Sequence, residues 1–509
     1  RVARSSAHRL EKRATRSRRR PANAPRMLAV ASLAAAVALS PALSAATDRK
    51  AGGYAEDSCD AVGGVVHDEV GLLQRGRVGA RGIPAEAGDD GSEEPAGRSE
   101  TLEDIAAALR RNPAWNPLAR LFAPASECRM DDDGGCPLRR MRPGAVVDVY
   151  PGQGSGAACI NSSRPFYFQV RRGATDKLLL YFQGGGACWD HLSYRLKLCT
   201  QSPTPQDFSG MLNASDPQNA FRHHTLVHVL FCSGDMHSGN TTQPWGEDGA
   251  PVQLRGYNNA NSAVQWALEQ ADTFSEVVFA GCSAGSLGVM MWSELLQKRL
   301  RGRTAKFTTF ADSFAGVLFP PQLVHAGQGH LCDVWNICGL PLLNQVEQVQ
   351  CRSKTLLLQE HFRVAMQENR ESRFAMVNSK TDAVQVLFQK GYMLTAMKSR
   401  AGFKMTGAQY YKGFNLNMQE QVKEDNFGVY LADGTQHCFT QSQVMYTTTP
   451  QGEGGGGDGQ RLSEWMGELS GAAATSRVVC EGALVQVQED APECENTTYC
   501  DEAIMERAA

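Results

Sequence analysis

The rhythm of apolar and polar positions changes about 140 residues into the chain. Beyond that point, apolar runs at 166–170, 177–183, 225–232, 276–280, 306–311 and 373–378 alternate with stretches of helical character. This alternation predicts an α/β fold with a mostly parallel sheet and crossover helices. Val264, Leu268 and Ala271 recur at helical spacing between the third and fourth runs, and 287–300 after the fourth is rich in helix formers, so together they predict a βαβ unit. Residues 171–176 between the first two runs are few enough for a hairpin, so the sheet is expected to begin antiparallel and turn parallel.

The flanks lack this rhythm. Residues 48–140 read as a linker or poorly ordered N-terminal region, mixing Gly, Asp, Glu and Ser without periodicity over 48–100. Within it, Thr101 and Asp104 stand at capping-box spacing ahead of a short amphipathic helix reaching Leu109. The catalytic domain is expected over 141–450, and 451–509 reads as a Gly-rich loop and a cysteine-bearing tail.

At the other end, residues 1–26 carry ten Lys or Arg against the single acid Glu11. Met27 then opens a charge-free stretch with an apolar run over 28–39 and small residues at 44–46, the layout of a secretory signal peptide. Residues 1–47 are therefore read as an upstream basic segment plus signal peptide, with an uncleaved signal anchor as the alternative; the run is short for a membrane span.

An exported chain fits the cysteines. There are 15, and an oxidising compartment lets them pair. The close pairs Cys128 and Cys136, Cys188 and Cys199, Cys332 and Cys338, and Cys494 and Cys500 look like staples of loops. Asn161, Asn213, Asn240 and Asn496 each begin a glycosylation sequon. A formal net charge of -3 over 509 residues offers no field for nucleic acid, so none is expected as a partner.

The chemistry concentrates in three places. Gly281, Cys282, Ser283, Ala284 and Gly285 form G-x-S-x-G between a predicted strand and a predicted helix. That context is the nucleophile elbow of an α/β-hydrolase-like fold, in which small flanking residues permit a tight turn that aims the serine hydroxyl at substrate. An incidental glycine turn is the bland alternative. Gly184, Gly185 and Gly186 follow the strand at 177–183, where this fold draws an oxyanion donor, so the hole is assigned to the N–H groups of Gly185, Gly186 and Ala284. A phosphate loop is excluded by the lack of a following Lys-Ser or Lys-Thr.

The base and acid follow from chain order, which in this fold runs Ser, acid, His. His437 is the only histidine after His361, and it sits in a polar turn that a disulfide at Cys438 would fix. His325, His330 and His361 lack a strand-end setting. Asp382 and Asp312 both follow predicted strands; Asp382 is preferred because it comes from the later one, with Asp312 the alternative. Such a site needs no metal or cofactor. His223, His224 and His228 invite a metal reading, but alternate strand residues face opposite sides. A cysteine hydrolase using Cys282 or Cys188 is disfavoured where thiols pair.

Five blocks then stand in a familiar order: YFQGGGACWD at 181–190, FCSGDMHSGN at 231–240, GCSAGS at 281–286, NSKTD at 378–382 and GTQHCF at 434–439. Together they resemble the pectin acetylesterase and Notum family of carboxylesterases across about residues 145–445. The resemblance implies the triad Ser283, Asp382 and His437, the oxyanion loop named above, and a secreted serine esterase acting on an acylated substrate. Notum-like members have Trp where this chain has Gly186, and Gly-Gly where it has Gly285 and Ser286. Three functions follow as expectations: removal of acetyl groups from polysaccharide, removal of a fatty acyl group from protein, or binding by a non-catalytic hydrolase scaffold. The segment 383–426, with Met393, Met397, Met405 and Met418, is expected to supply a lid or core.

Overall fold

The computed structural model describes residues 101–111, 126–132, 135–316, 323–396, 407–447, 460–471 and 478–480. All belong to the compact unit Ser92–Ala509. The strands are β1 (Ser126–Arg129), β2 (Val146–Tyr150), β3 (Phe168–Arg171), β4 (Ala174–Phe182), β5 (His224–Val229), β6 (Thr241–Gln243), β7 (Val252–Leu254), β8 (Glu276–Cys282), β9 (Phe307–Asp312), β10 (Arg373–Ser379), β11 (Phe427–Ala432) and β12 (Val478–Cys480). The helices are α1 (Leu102–Arg111), α2 (His191–Arg195), α3 (Gly256–Glu269), α4 (Ala284–Leu300), α5 (Val324–Val334), α6 (Gln345–Arg352), α7 (Leu358–Glu368), α8 (Ala383–Thr395), α9 (Gly407–Gln421), α10 (Gln443–Thr447) and α11 (Leu462–Leu469).

Ten strands form one sheet in the order β1-β2-β3-β5-β4-β8-β9-β10-β11-β12, and β6 and β7 form a separate small ribbon. Only β3 runs against its neighbours in the large sheet. The fold is thus α/β, a mixed, mostly parallel sheet flanked by helices. The apolar runs become its central strands because they are covered on both faces, which removes the alternation of a half-exposed strand. Leu178 to Phe182 of β4 and Val277 to Cys282 of β8 are all buried.

The expected hairpin is not formed: β5 lies between the two strands that 171–176 connects. Gly173 marks the reason. A Cβ there would come within 2.5 Å of the His223 and His224 carbonyl oxygens, and the Gly173 N–H donates to Thr225 Oγ1. The bend therefore accommodates the start of β5, and pairing is decided by a strand some 50 residues away rather than by loop length.

Two strands and two helices, α1 and α11, lie outside 141–450 yet join the domain. α1 begins with the reciprocal capping read from the sequence, Asp104 N to Thr101 Oγ1 and Thr101 N to Asp104 Oδ2. It buries Leu102, Ile105, Ala106 and Leu109, with Leu102 and Ile105 lying against Gly391 of α8. β1 and β12 form the two sheet edges.

Five disulfides staple the described residues: Cys128–Cys136, Cys159–Cys232, Cys188–Cys199, Cys282–Cys438 and Cys338–Cys351. The expected link between Cys332 and Cys338 is replaced by Cys338–Cys351, and Cys332 is a buried free thiol. Cys332 belongs to α5, whose closing turn is made by Ile337 N donating to the Cys332 carbonyl. Cys338 thereby leaves the helix and meets α6 instead. Cys494 and Cys500 lie outside the described residues, as do the signal-peptide segment, Met397 and Met405.

Helix α4 follows the central strand and is buried along most of its length. Its inner end meets α6 and α7 through a buried pair: His361 Nδ1 lies 2.8 Å from Glu347 Oε1, and His361 Nε2 lies 3.1 Å from the Met291 carbonyl. Burial pulls the His361 pKa down, but the hydrogen bond and charge of Glu347 outweigh it and leave the group above its ordinary value. Glu347 is held below its own ordinary value by the same partner against the effect of burial. The histidine's contribution to stability is complete below its unfolded pKa of about 6.5 and is lost as pH rises through the folded value. The thermal stability of the wild type is therefore expected to fall more steeply as pH rises above about 6.5 than that of Glu347→Gln. Parallel unfolding curves for the two proteins would exclude this assignment.

Candidate active site

Ser283 sits between β8 and α4 with φ 57 and ψ −120, a backbone conformation that costs a non-glycine residue energy. The turn is possible because the residues two positions to either side are glycines. A Cβ on Gly281 would lie 2.6 Å from the Gly285 carbonyl oxygen, and one on Gly285 would lie 2.0 Å from that of Phe182. The Ser283 N–H is tied at 2.8 Å to the Asp312 carbonyl at the end of β9.

The glycine loop after β4 runs against this turn, since a Cβ on Gly184 would fall 3.0 Å from that of Ser283. Gly186 pairs with Cys199 at a position where the two hydrogen bonds are made by the neighbours, Ala187 N to Leu198 O and Thr200 N to Gly185 O. The Gly186 N–H is thus left out of that ladder. Gly186 and Ala284, with Ser283, line one cavity; Gly185 stands behind them, against Phe231 and Thr200.

His437 lines the same cavity. Its Nδ1 lies 2.8 Å from Asp382 Oδ2 and 3.0 Å from Oδ1, and its Nε2 is buried with no hydrogen-bond partner. Asp382 is fully buried and caps α8, accepting from the Gln385 N–H at 2.9 Å and from Gln385 Nε2 at 2.9 Å. Cys282–Cys438 then bonds the residue before Ser283 to the residue after His437. This arrangement binds one imidazole nitrogen to a carboxylate and leaves the other unpartnered in a residue that shares its cavity with Ser283.

Asp312 does not touch His437. Its carboxylate accepts from Ser313 Oγ, Thr440 N and Thr440 Oγ1, each at 2.7 Å, and Ser313 Oγ in turn accepts from Cys438 N at 2.8 Å. Burial raises its pKa despite these bonds. The alternative acid therefore braces the loop that carries the histidine. His325, His330 and His361 do not line the cavity; His330 bonds Tyr392 and His361 bonds Glu347.

Gln385 was not singled out in the sequence, although Asp382 and Gln385 stand at capping-box spacing, the one signal that pointed to it. Its Nε2 also reaches Asn378 Oδ1 at 2.7 Å and its Oε1 accepts from Ala315 N at 3.2 Å, so it ties the carboxylate to the end of β10 and to the cavity wall. Trp189, Phe388, Tyr392, Trp335, Phe314 and Leu331 make that wall apolar. The Trp189 and Trp335 N–H groups are bonded to Thr395 Oγ1 and the Cys188 carbonyl, so the rings present carbon to the cavity. Met393 and Met418 are core residues and do not line it.

Among the described residues two donor clusters have the spacing to hold a metal. In one, Cys282 and Cys438 are spent on their disulfide. In the other, Glu294, Glu347 and His361 are already bonded, with Lys298 on Glu294. His223, His224 and His228 belong to neither; His224 lies 3.3 Å from Glu276. Of the sequons, Asn161 is exposed, Asn213 and Asn240 are partly exposed, and Asn496 is outside the described residues.

A model of the family described as Pectinacetylesterase matches residues 146–473. The chain belongs to the pectinacetylesterase family. No curated protein matches it. The matched span runs from the start of β2 past α11 and includes every cavity residue named above. Membership implies a carboxylic ester hydrolase, and five disulfides are compatible with a secreted one. No helix among the described residues is long and apolar enough to cross a membrane.

In this family member the elbow leaves no room for a side chain at Gly285. Gly285→Ala is expected to cost about 3 kcal/mol or more, because a backbone carbonyl would have to move. Chemical denaturation of the purified variant tests this, and an unchanged midpoint would contradict it.

Proposed function

We propose that this pectinacetylesterase family member is a secreted serine esterase that removes acetyl groups from polysaccharide. Ser283 Oγ attacks the ester carbonyl while His437 Nε2 takes its proton. The same nitrogen returns the proton to the departing sugar hydroxyl, leaving an acetyl-serine. Water then attacks with His437 again as base, releasing acetate and restoring Ser283. Asp382 holds the imidazole at Nδ1 and fixes its tautomer. The Gly186 and Ala284 N–H groups receive the oxyanion, with Gly185 shaping the loop behind them.

The observation that carries this reading is the His437–Asp382 pair, whose second imidazole nitrogen is unpartnered on the cavity that Ser283 lines. The small volume of that cavity, about 60 Å³, supports a short acyl group such as acetyl over a fatty chain.

Hydrolysis of nitrophenyl esters from acetyl to palmitoyl tests the proposal. Acetyl ester is expected to be preferred, with turnover lost in Ser283→Ala. Asp382→Asn is expected to lower kcat by about 10⁴, and Asp312→Asn to act on stability with a much smaller effect on kcat. A maximum at about eight carbons or more would favour fatty deacylation instead. Absence of Ser283-dependent turnover on every ester would favour a binding protein on a hydrolase scaffold.

A further inference from the structure

Gln183 joins β4 to the glycine loop. Its N–H donates to the Val229 carbonyl at 3.0 Å, and its side chain accepts from Phe231 N and donates to the Thr204 carbonyl. Its own carbonyl accepts from His237 Nε2 at 2.8 Å and lies 3.1 Å from where a Cβ on Gly285 would stand. That carbonyl shares one rigid peptide plane with the Gly184 N–H, so its direction sets how the chain leaves the strand. The glycine that follows offers little steric resistance to a rotation of this plane, and a hydrogen bond has to supply it.

His237 is held in turn by the helix that carries the nucleophile. Trp292 Nε1 of α4 donates to the His237 carbonyl at 2.9 Å, and a Cβ on Gly288 of the same helix would fall 3.2 Å from that of His237. The imidazole stacks on Phe182 with ring centroids 4.6 Å apart and lies 4.9 Å from the Phe231 ring. Packing alone does not call for histidine here, since a phenyl ring would fill the same space without burying polar nitrogens. Burial pushes its pKa down to about 4, so the ring is neutral, and a carbonyl partner requires the proton to sit on Nε2. The backbone is costly as well: Met236 and His237 have φ of 52 and 60 in succession. Ser238 holds the pair, its Oγ donating to the Met236 carbonyl at 3.0 Å and its N–H to the Asp235 carbonyl at 3.1 Å. This turn puts Met236 on the cavity and the His237 ring on Gln183.

We propose that His237 is a positioning residue for the oxyanion loop: its bond to the Gln183 carbonyl fixes the course of Gly184, Gly185 and Gly186 and thereby the aim of the Gly186 N–H. The inference rests on the serine-esterase reading above. It adds that the two donors of the hole are held in register by one turn, because His237 is bonded both to the residue ahead of the glycines and to the helix that Ala284 begins.

Three variants of the full secreted protein test this. His237→Phe keeps the ring without the donor, His237→Asn keeps a residue that tolerates positive φ but is too short to reach, and His237→Gln restores an amide donor at the length of Nε2. On nitrophenyl acetate, the Phe and Asn variants are expected to lose about 10- to 100-fold in kcat with KM little changed, since the contact is made to the oxyanion rather than to bound ester. His237→Gln is expected to recover most of this loss. Amide hydrogen exchange over 183–188, where Ala187 N and Cys188 N are bonded to the Leu198 and Gly234 carbonyls, is expected to speed up about tenfold in the Phe and Asn variants and to leave β10 unchanged. The Asn variant decides where the Phe variant does not fold. Unchanged exchange over 183–188, an equal increase throughout the sheet, or a Gln variant as impaired as the Phe variant overturns the proposal. If the wild type shows no Ser283-dependent turnover, the esterase reading falls, and hydrogen exchange alone still decides whether His237 holds the loop.

Discussion

The disulfide Cys282–Cys438 spans 156 residues of sequence and sets the distance between the two loops that carry Ser283 and His437. In the proposed reaction Ser283 and His437 must meet to within a hydrogen bond for proton transfer, yet Ser283 and the residue after His437 both have an unfavourable backbone: φ is 57 at Ser283 and 68 at Cys438. Such turns persist only when their surroundings over-determine them. A covalent bond one residue from each group does so more directly than packing, because it leaves no alternative partner.

Asp312 supplies the second constraint. Its backbone carbonyl receives the Ser283 N–H, while its carboxylate receives Thr440 and Ser313, whose hydroxyl accepts from Cys438 N. One buried residue at the end of β9 thus touches both the nucleophile turn and the histidine loop. A buried carboxylate is costly unless its oxygens are bonded, and here three donors satisfy it. The cost is the reason an acid is useful at this point: no other side chain of that size accepts from so many donors.

How much of this was legible in the sequence depended on how local each determinant is. β4, β8 and β10 were found to within a few residues because strands covered on both faces read as unbroken apolar runs. β1, reading SECR, and β2, reading VVDVY, lie at or next to a sheet edge and carry too weak a pattern. The hairpin was misread because a short connection speaks only of proximity, whereas β5 enters from a distant part of the chain. Cys338 was assigned to its nearest neighbour by the same local logic, and the turn that ends α5 sent it elsewhere. Asp312 and Asp382 look alike in sequence, both directly after an apolar strand. Only three-dimensional contacts separate the one that meets His437 from the one that braces its loop.

Asp382 and one wall of the cavity share an element. Asp382 caps α8, and Val384, Gln385, Phe388, Gln389 and Tyr392 of the same helix line the cavity. Positions 385, 388 and 392 recur at helical spacing, so one face of α8 looks into the cavity while its first turn holds the carboxylate. Gln385 belongs to both sets, bonding Asp382 and facing the cavity. A shift of α8 that lengthened the cavity would therefore also move the carboxylate that orients His437. Trp335, on the turn after α5, bonds the Cys188 carbonyl and has no such tie, whereas Trp189 before α2 bonds Thr395 and packs on Tyr392, both of α8. Under the proposed reaction, acyl length is thus freer to vary at Trp335 than on the side formed by α8 and Trp189.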